Sequence, residues 1–252
     1  MAKLNYSSRI QALGTENAFT VLAKVNELKR KGKDIVSFAI GEPDFDTPEN
    51  VVDAAVEALS NGCTHYCPSA GVHDLRVAVA KYISKTRRIH TLPEEVVITP
   101  GAKPMIFNTV MACVNEGEEV IYPSPGFPIY ESVIEFTGAK AVPLPLLEEK
   151  EFGFDVKDLK NLITKKTRLV IINSPHNPTG GMLTEKNLRE LAALAKKHNL
   201  WVLSDEVYSN IVYDGKFHSI ASIPGMKERT IILEGFSKTY AMTGWRLGYV
   251  AA

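Results

Sequence analysis

Short runs of β-favouring residues alternate with amphipathic stretches from residue 95 onward, and this alternation limits the fold more than any other feature. Five such runs predict strands. They are Val96–Ile98, Glu119–Tyr122, Arg168–Ile172, Trp201–Leu203 and Thr230–Leu233. Helices are predicted in between, at Pro104–Val114, Tyr130–Phe136 and Glu185–His198. Because helical connections of this kind join parallel strands, the pattern favours an α/β protein with a mainly parallel sheet.

The two ends of the chain carry further elements. Ahead of the alternating region we predict a helix at Ala18–Arg30, a short strand at Ile35–Ala39 and a helix at Glu49–Leu59. At the other end, residues Leu247–Ala252 look like the start of a buried strand. A domain rarely stops in the middle of its core, so we expect the chain to be part of a longer polypeptide.

Composition and charge exclude several classes of function. The 252 residues contain 29 Lys and Arg against 29 Asp and Glu, so nothing in the net charge suggests nucleic acid or an anionic membrane as partner. No stretch approaches the ~20 apolar residues of a membrane span, and no secretory leader is evident. Cys63, Cys67 and Cys113 lie at no metal-ligand spacing, so we expect no metal site and free thiols in a reducing cytoplasm.

In parallel sheets, ligands bind beyond the carboxyl ends of the strands, so functional residues are expected there. The first candidate is the turn of residues 99–104, TPGAKP, which leads into a predicted helix. Small residues let backbone N–H groups approach an anion at the start of that helix. Taken alone, an ordinary strand-to-helix turn explains this segment as well.

Two more polar segments follow predicted strands. Residues 173–181 read NSPHNPTGG, which is a tight loop or a ligand loop in which the amide of Asn177 could donate to a phenolate oxygen. Residues 204–208 read SDEVY. Asp205 is then either an exposed helix-capping acid or a buried acid that requires a cation. A protonated pyridine nitrogen would be a suitable cation.

The fourth segment, GFSKTYAMTGWRLG at residues 235–248, contains a lysine among small and aromatic residues. A lone lysine is usually a solvated surface charge. Desolvation at a strand end would instead lower the pKa of Lys238 and make it a nucleophile. Arg246, eight residues later, could return a guanidinium to a phosphate.

Together these segments resemble a known family. The strings GEPDFDTP, THYCPSAG, TPGAK, YPSPGFPIY, NSPHNPTG, SDEVY and SKTYAMTGWRLGY occur in the order and spacing of the fold-type I, class I/II pyridoxal-phosphate-dependent aminotransferases. The family includes aspartate and aromatic aminotransferases. The resemblance implies the large domain of that fold, a three-layer α/β/α arrangement around a mainly parallel mixed sheet, with an incomplete small domain. It assigns residues 1–45 to an N-terminal arm with part of the small domain, and 46–252 to the cofactor-binding large domain.

The resemblance also implies the cofactor, pyridoxal 5′-phosphate, and the residues that hold it. Lys238 would form the Schiff base, and Lys238, Asp205 and Tyr208 would be catalytic. Asp205 would pair with the pyridine N–H and Phe127 would stack on the ring. Asn177 and Tyr208 would bind the phenolic oxygen. The phosphate would be held by Gly101, Ala102, Lys103, Ser237 and Arg246.

Further implications concern substrate and partner. Gly41 and Asn177 would contact the substrate, and Tyr66 would reach the phosphate of a neighbouring subunit, which implies a homodimer with shared sites. Two departures stand out. Gly235 occupies a position where some members have a phosphate-binding serine, and the arginine that binds the substrate carboxylate in the family belongs to a C-terminal part that this sequence does not contain.

The function implied is transfer of an amino group from an L-amino acid to a 2-oxo acid, in a ping-pong cycle between pyridoxal and pyridoxamine phosphate. A β-lyase or a synthase of the same fold would use the same cofactor-binding residues, so both stay open. A catalytically inactive cofactor-binding fragment is the alternative from another class. A dinucleotide-dependent dehydrogenase is disfavoured because no GxGxxG opens a helix after a strand.

Overall fold

A seven-stranded sheet forms the centre of the protein. The computed structural model describes residues 5–14 and 17–252, and the strands in that part of the chain lie between residues 96 and 251. They are β1 (Val96–Thr99), β2 (Glu119–Ser124), β3 (Lys140–Pro145), β4 (Thr167–Asn173), β5 (Trp201–Asp205), β6 (Thr230–Gly235) and β7 (Gly248–Ala251). Their order across the sheet is β1-β7-β6-β5-β4-β2-β3.

The sheet is mixed but mainly parallel, as predicted. Strand β7 pairs antiparallel with both β1 and β6. The other neighbouring strands pair in parallel. Strand β4 shows why the apolar runs are nearly continuous, since all of its residues except Arg168 are buried. A strand covered by helices on both faces has no polar face to alternate with the apolar one.

The described residues form eight α-helices, five of which pack on the two faces of the sheet. The eight helices are α1 (Asn17–Arg30), α2 (Glu49–Ser60), α3 (His73–Arg87), α4 (Lys103–Cys113), α5 (Ile129–Phe136), α6 (Val156–Leu162), α7 (Glu185–His198) and α8 (Phe236–Thr239). Apolar residues of α4 and α5 pack on one face, beside Leu203 and Leu233. Residues of α6 and α7 pack on the other face beside Val202, and α3 packs there beside Ile232. The predicted three-layer α/β/α arrangement is confirmed.

Helix α7 shows how local sequence sets an element's bounds. The hydroxyl of Thr184 accepts a hydrogen bond from the N–H of Asn187, whose side chain in turn accepts from the N–H of Thr184. This reciprocal cap satisfies N–H groups that a helix start leaves unpaired. The helix ends at Asn199, which adopts a left-handed conformation with φ 51°. The predicted bounds, Glu185–His198, are those observed.

Two expectations about strands need correction. The strand predicted at Ile35–Ala39 is wrong, because this segment pairs with no other strand among the described residues, and Val36 and Phe38 are 82% and 95% exposed. An alternating pattern makes a strand only where a partner supplies backbone hydrogen bonds. Strand β3 was not predicted, since its sequence KAVPLP contains two prolines. It lies at the edge of the sheet, where proline is tolerated.

The parallel strands bring three polar segments to the same edge of the sheet. Asn173 at the end of β4 is in register with Asp205 at the end of β5, and Asp205 is in register with Leu233 on β6. The segments that follow these strands therefore lie side by side. All three were singled out from the sequence as candidates for ligand binding.

Candidate active site

Asp205 is a buried acid at the carboxyl end of β5 and is only 5% exposed. Its Oδ2 accepts a 2.6 Å hydrogen bond from the Tyr130 hydroxyl, and its Oδ1 accepts one of 3.3 Å from the N–H of Val207. Burial raises the pKa of Asp205 to about 6, although both hydrogen bonds act in the opposite direction. No basic residue of the described chain is among the groups that shift this pKa. The structure therefore shows Asp205 as a buried acid and not as an exposed helix-capping one.

Lys238 lies on the short helix α8, directly after β6, and is partly buried. Its Nζ donates a hydrogen bond to the carbonyl oxygen of Gly41 and lies 5.8 Å from the centroid of the Tyr208 ring. Burial lowers the pKa of this amine, while the charge of Glu42 opposes the shift. A larger share of neutral amine is therefore present near neutral pH than in a solvated lysine, as a nucleophile requires.

A turn of small residues lies against Arg246 and Gly248. Gly101 has φ +83°, and a Cβ there would stand 2.3 Å from Nη2 of Arg246. A Cβ at Gly248 would stand 2.4 Å from the backbone nitrogen of Ala102. Both glycines are thus required for this close approach. The result is a guanidinium next to the backbone at the start of α4, which is a suitable arrangement for an anion.

Two other residues expected near the phosphate lie in the same region. Lys103 begins α4, and its Nζ lies 5.3 Å from the centroid of the Phe127 ring. Ser237 follows Phe236 on α8, and its hydroxyl forms no hydrogen bond within the part of the chain that is described. Gly235 begins this segment, and a Cβ there would meet only ordinary contacts, at 3.5 Å from the oxygen of Leu247 and 3.6 Å from Cβ of Ala102.

The loop after β4 is fixed to Asp205 through Asn173. The Asn173 side chain donates to the carbonyl oxygens of Asp205, at 3.0 Å, and Pro175, at 3.2 Å. Its Oδ1 accepts a 2.8 Å hydrogen bond from the N–H of Asn177. Tyr208 lies three residues after Asp205, where burial and then the charge of Asp205 raise the pKa of its phenol. The residues expected around one ring therefore converge on one strand end.

Tyr66 differs from the other predicted site residues. Its side chain is fully exposed, and within the described residues it contacts none of them. Gly41 does reach the site, since its carbonyl oxygen accepts from Lys238. Between segment 42–47 and segment 241–245 lies an open cavity of about 800 Å³. The cavity is lined in part by Ala241, three residues after Lys238.

Sequence reasoning missed two residues of the site, Tyr130 and Asn173. Tyr130 is fully buried, and its ring packs edge-on against Phe127 at 5.8 Å between centroids. Its sequence signal was a tyrosine three residues after the aromatic Phe127 at a helix start, since a buried tyrosine needs a partner for its hydroxyl. Asn173 was inside the quoted loop motif, but no role was assigned to it.

The comparisons with known proteins decide the family. The family described as aminotransferase class I and II matches residues 33–252, which is most of the chain. The chain belongs to this family. Among its relatives, the aspartate aminotransferase of Pyrococcus abyssi is 46% identical over 92% of this chain, and the aromatic-amino-acid aminotransferase 2 of Thermococcus litoralis is 48% identical over the same share.

Solved structures give the same family assignment. The aspartate aminotransferase from Thermus thermophilus with maleate matches 99% of this chain with a TM-score of 0.96 and 38% sequence identity. The chain covers 65% of that structure, and 60% of each of the two relatives named above. It therefore spans less than two thirds of the length of these class I and II aminotransferases.

Pyridoxal 5′-phosphate is the cofactor of this family, and the residues present fit it. Asp205 is a buried carboxylate with no cation among the described residues, and a pyridine N–H is a cation that could approach it. The glycines at 101 and 248 keep the start of α4 open to a phosphate beside Arg246. Lys238 offers a desolvated amine on the neighbouring strand end.

The described part of the chain contains neither a metal-binding cluster nor a helix suited to a membrane. No group of three or more His, Cys, Asp or Glu side chains there is arranged to hold a metal ion. None of the helices formed by residues 5–14 and 17–252 combines the length and apolar character needed to cross a membrane.

Proposed function

We propose that this chain is the cofactor-binding part of an enzyme that transfers an amino group from an L-amino acid to a 2-oxo acid. The observation that carries the proposal is the convergence of two groups on adjacent strand ends. Asp205 is a buried acid whose pKa no basic group of the described residues lowers, and Lys238 is a partly desolvated amine. Ordinary structural roles explain neither. The family assignment and the names of the aminotransferases cited above support the same reaction.

The residues divide into those that would hold the ring and those that would hold the phosphate. Asp205 would pair with the pyridine N–H, while Asn177 and Tyr208 would bind the phenolic oxygen and Phe127 would cover one face of the ring. The phosphate would bind at the start of α4, where five of the expected residues would meet. These are the backbone at Gly101, Ala102 and Lys103, together with the side chains of Ser237 and Arg246.

When bound, the cofactor supplies an electron sink for the charge left on the substrate Cα after its proton is removed. The chain's own residues supply the proton transfers and the electrostatics. Lys238, with its lowered pKa, would accept the Cα proton as a base and return it to the neighbouring carbon as an acid. Asp205, held by Tyr130 and Val207, would keep the positive charge on the ring nitrogen.

The substrate would enter from the open side of the site. Gly41 and Asn177 are the residues proposed to contact it. The cavity between segments 42–47 and 241–245 lies next to Gly41 and is large enough for an amino acid or a 2-oxo acid.

We also propose that the protein is a homodimer. Tyr66 is fully exposed and would reach the phosphate bound by the neighbouring subunit. Helix α2 contains no buried residue, and it exposes an apolar stripe of Val52, Val56 and Leu59 at helical spacing. An exposed stripe of this kind suits a subunit interface. Sedimentation equilibrium of the chain should give a dimer mass, and replacing Val56 by Lys should shift the equilibrium toward monomer.

Domain division and location complete the proposal. Residues 1–45 would form the arm with part of the small domain, and residues 46–252 would form the large domain, which contains the whole observed sheet. Residues 1–4, 15 and 16 of this arm lie outside the described residues. The three cysteines are all free thiols, which supports a cytoplasmic location.

The direct test is to map where the cofactor attaches. The chain is mixed with pyridoxal 5′-phosphate, reduced with borohydride, digested and analysed by mass spectrometry, with Lys238→Ala as the matched control. We expect the label on Lys238 and its loss in the variant. Label scattered equally over surface lysines would contradict the proposed site. Release of a 2-oxo acid from an added amino acid, without ammonia, would then favour amino transfer over a β-lyase reaction.

A further inference from the structure

Two glutamates lie side by side behind the proposed site. Glu206 follows Asp205 and Glu234 is on β6, and each is 1% exposed. The N–H of Glu206 donates to the carbonyl oxygen of Leu233 at 2.8 Å, so the two carboxylates project from neighbouring positions of adjacent strands. Like charges at such positions destabilise a sheet, and burial adds to the cost. This pair therefore needs a compensating cation.

Arg87, the last residue of α3, supplies that cation. Its Nε lies 2.8 Å from Oε2 of Glu206 and its Nη2 lies 2.9 Å from Oε2 of Glu234. Arg87 is 2% exposed, and its guanidinium is flanked by the rings of Phe217 and Tyr82, at 5.0 and 5.6 Å. Within the described residues it is the only group that forms an ion pair with either glutamate. A planar guanidinium can bind two carboxylates at once, which an ammonium does poorly.

Hydroxyl groups occupy the remaining acceptor positions of both carboxylates. The donors are Ser204 at 2.9 Å and Ser219 at 2.6 Å on Glu206, and Ser209 at 2.9 Å and Tyr249 at 3.0 Å on Glu234. A fully satisfied buried network of this kind is rigid.

The cluster is directly connected to both proposed catalytic groups. Glu206 is the neighbour of Asp205 in the chain, and Glu234 comes four residues before Lys238. A second connection reaches the other side of Lys238. The Asn210 side chain donates to the Tyr82 hydroxyl at 2.7 Å and to the hydroxyl of Thr239, the residue after Lys238, at 3.3 Å. Helix α3 thus holds the segment that carries Lys238 on both sides.

We propose that Arg87 is a positioning residue of the cofactor site, because its simultaneous ion pairs with Glu206 and Glu234 fix the separation between the strand ends that carry Asp205 and Lys238. This inference rests on the proposed cofactor-binding function. A ring of fixed size must meet Asp205 at its nitrogen and Lys238 at its aldehyde carbon. The two strand ends must therefore stay at a matching distance.

The test compares two ligands in four proteins. One ligand is pyridoxal 5′-phosphate, which can react with Lys238, and the other is 4′-deoxypyridoxine 5′-phosphate, which has no aldehyde. The proteins are the unaltered chain, Arg87→Met, Arg87→Met with Glu234→Gln, and the control Arg76→Met. The double variant restores the net charge of the cluster without the bridge. Arg76 is also on α3, but its Nε binds the carbonyl oxygens of Pro93 and Val96, away from the strand ends.

The readout is the dissociation constant of 4′-deoxypyridoxine 5′-phosphate divided by that of pyridoxal 5′-phosphate. This ratio measures how much reaction with Lys238 adds to binding. Misplacement by about 1 Å can cost about a hundredfold where groups must align, so we expect this ratio to fall by about tenfold to a hundredfold in both Arg87 variants. In Arg76→Met it should not change. A purely structural role of Arg87 would weaken both ligands equally and leave the ratio unchanged, which would overturn the inference.

The experiment distinguishes failure of the proposed cofactor site from failure of the proposed role of Arg87. If the unaltered chain forms no adduct at Lys238, the proposed cofactor site is wrong and the inference falls with it. If the adduct forms and the ratio is the same in all folded variants, only the role of Arg87 is wrong. Should Arg87→Met fail to fold, Arg87→Lys provides the same comparison, because it retains the charge but not the planar fork.

Discussion

Replacing Tyr130 by Phe removes one hydroxyl and should raise the pKa of Asp205. The Tyr130 hydroxyl donates to Asp205 Oδ2 at 2.6 Å in a fully buried position. Because the hydrogen bond favours the ionised carboxylate, it holds the pKa below the value that burial alone would give. The ring itself would remain to fill the space beside Phe127. We therefore expect little change in packing.

The expected size follows from the strength of such a bond. A hydrogen bond to a charged group contributes about 1.5–3 kcal/mol, and one pKa unit corresponds to about 1.4 kcal/mol. The pKa of Asp205, about 6 in the unaltered chain, should thus rise by about one to two units. Near neutral pH the side chain would change from mostly ionised to about half ionised or less.

The assay is a carbon NMR titration of the chain with labelled aspartate carboxyl groups. The Asp205 signal is the one absent from Asp205→Asn. Tyr122→Phe is the matched control, because Tyr122 is also a buried tyrosine but the carboxylates that act on its pKa are Glu131 and Glu135, not Asp205. An unchanged Asp205 pKa in folded Tyr130→Phe would refute the reasoning, as would an equal rise in Tyr122→Phe.

Three further predictions follow from the same geometry. Because burial raises the folded-state pKa of Asp205 from 3.8 to about 6, its protonated carboxyl contributes fully to stability below pH 3.8, and this contribution is lost as the pH rises through about 6. Denaturant titrations should show the unaltered chain losing about 2–3 kcal/mol relative to Asp205→Asn between pH 4 and 7. Gly101→Ala should lower the free energy of unfolding by about as much as Gly62→Ala, about 1–2 kcal/mol, because both glycines have positive φ and the guanidinium tip of Arg246 can move away from the added Cβ; a much larger loss at 101 would show that Arg246 cannot move. Competitive acetylation should modify Lys238 at a lower pH than the exposed lysines, and equal profiles would contradict its lowered pKa.

Much of this architecture was readable from the sequence because it depends on local patterns. The apolar runs predicted five strands, and the amphipathic pattern predicted α7 at its observed bounds. The motifs after β5 and β6 also pointed to Asp205 and Lys238 before their burial was known. These features need only the residues nearby in the chain.

Features that depend on distant partners were not predictable. The hydrogen bond between Tyr130 and Asp205 joins residues 75 positions apart, and no local pattern indicates it. The strand predicted at residues 35–39 failed for the related reason that pairing depends on a neighbour the pattern cannot supply. The contact between Gly101 and Arg246 could be suspected from the two motifs, but the requirement for glycine is visible only in three dimensions.

The position of β7 has a consequence for the order of folding. This strand lies between β1 and β6, so β1 has no strand neighbour in the sheet until residues 248–251 are in place. During synthesis, β2 to β6 can assemble as soon as they leave the ribosome, whereas β1 must wait for its strand partner. Closing such a long loop is slow, and an unpaired strand is open to wrong partners in the meantime. A chaperone that shields the β1 segment would act during that interval.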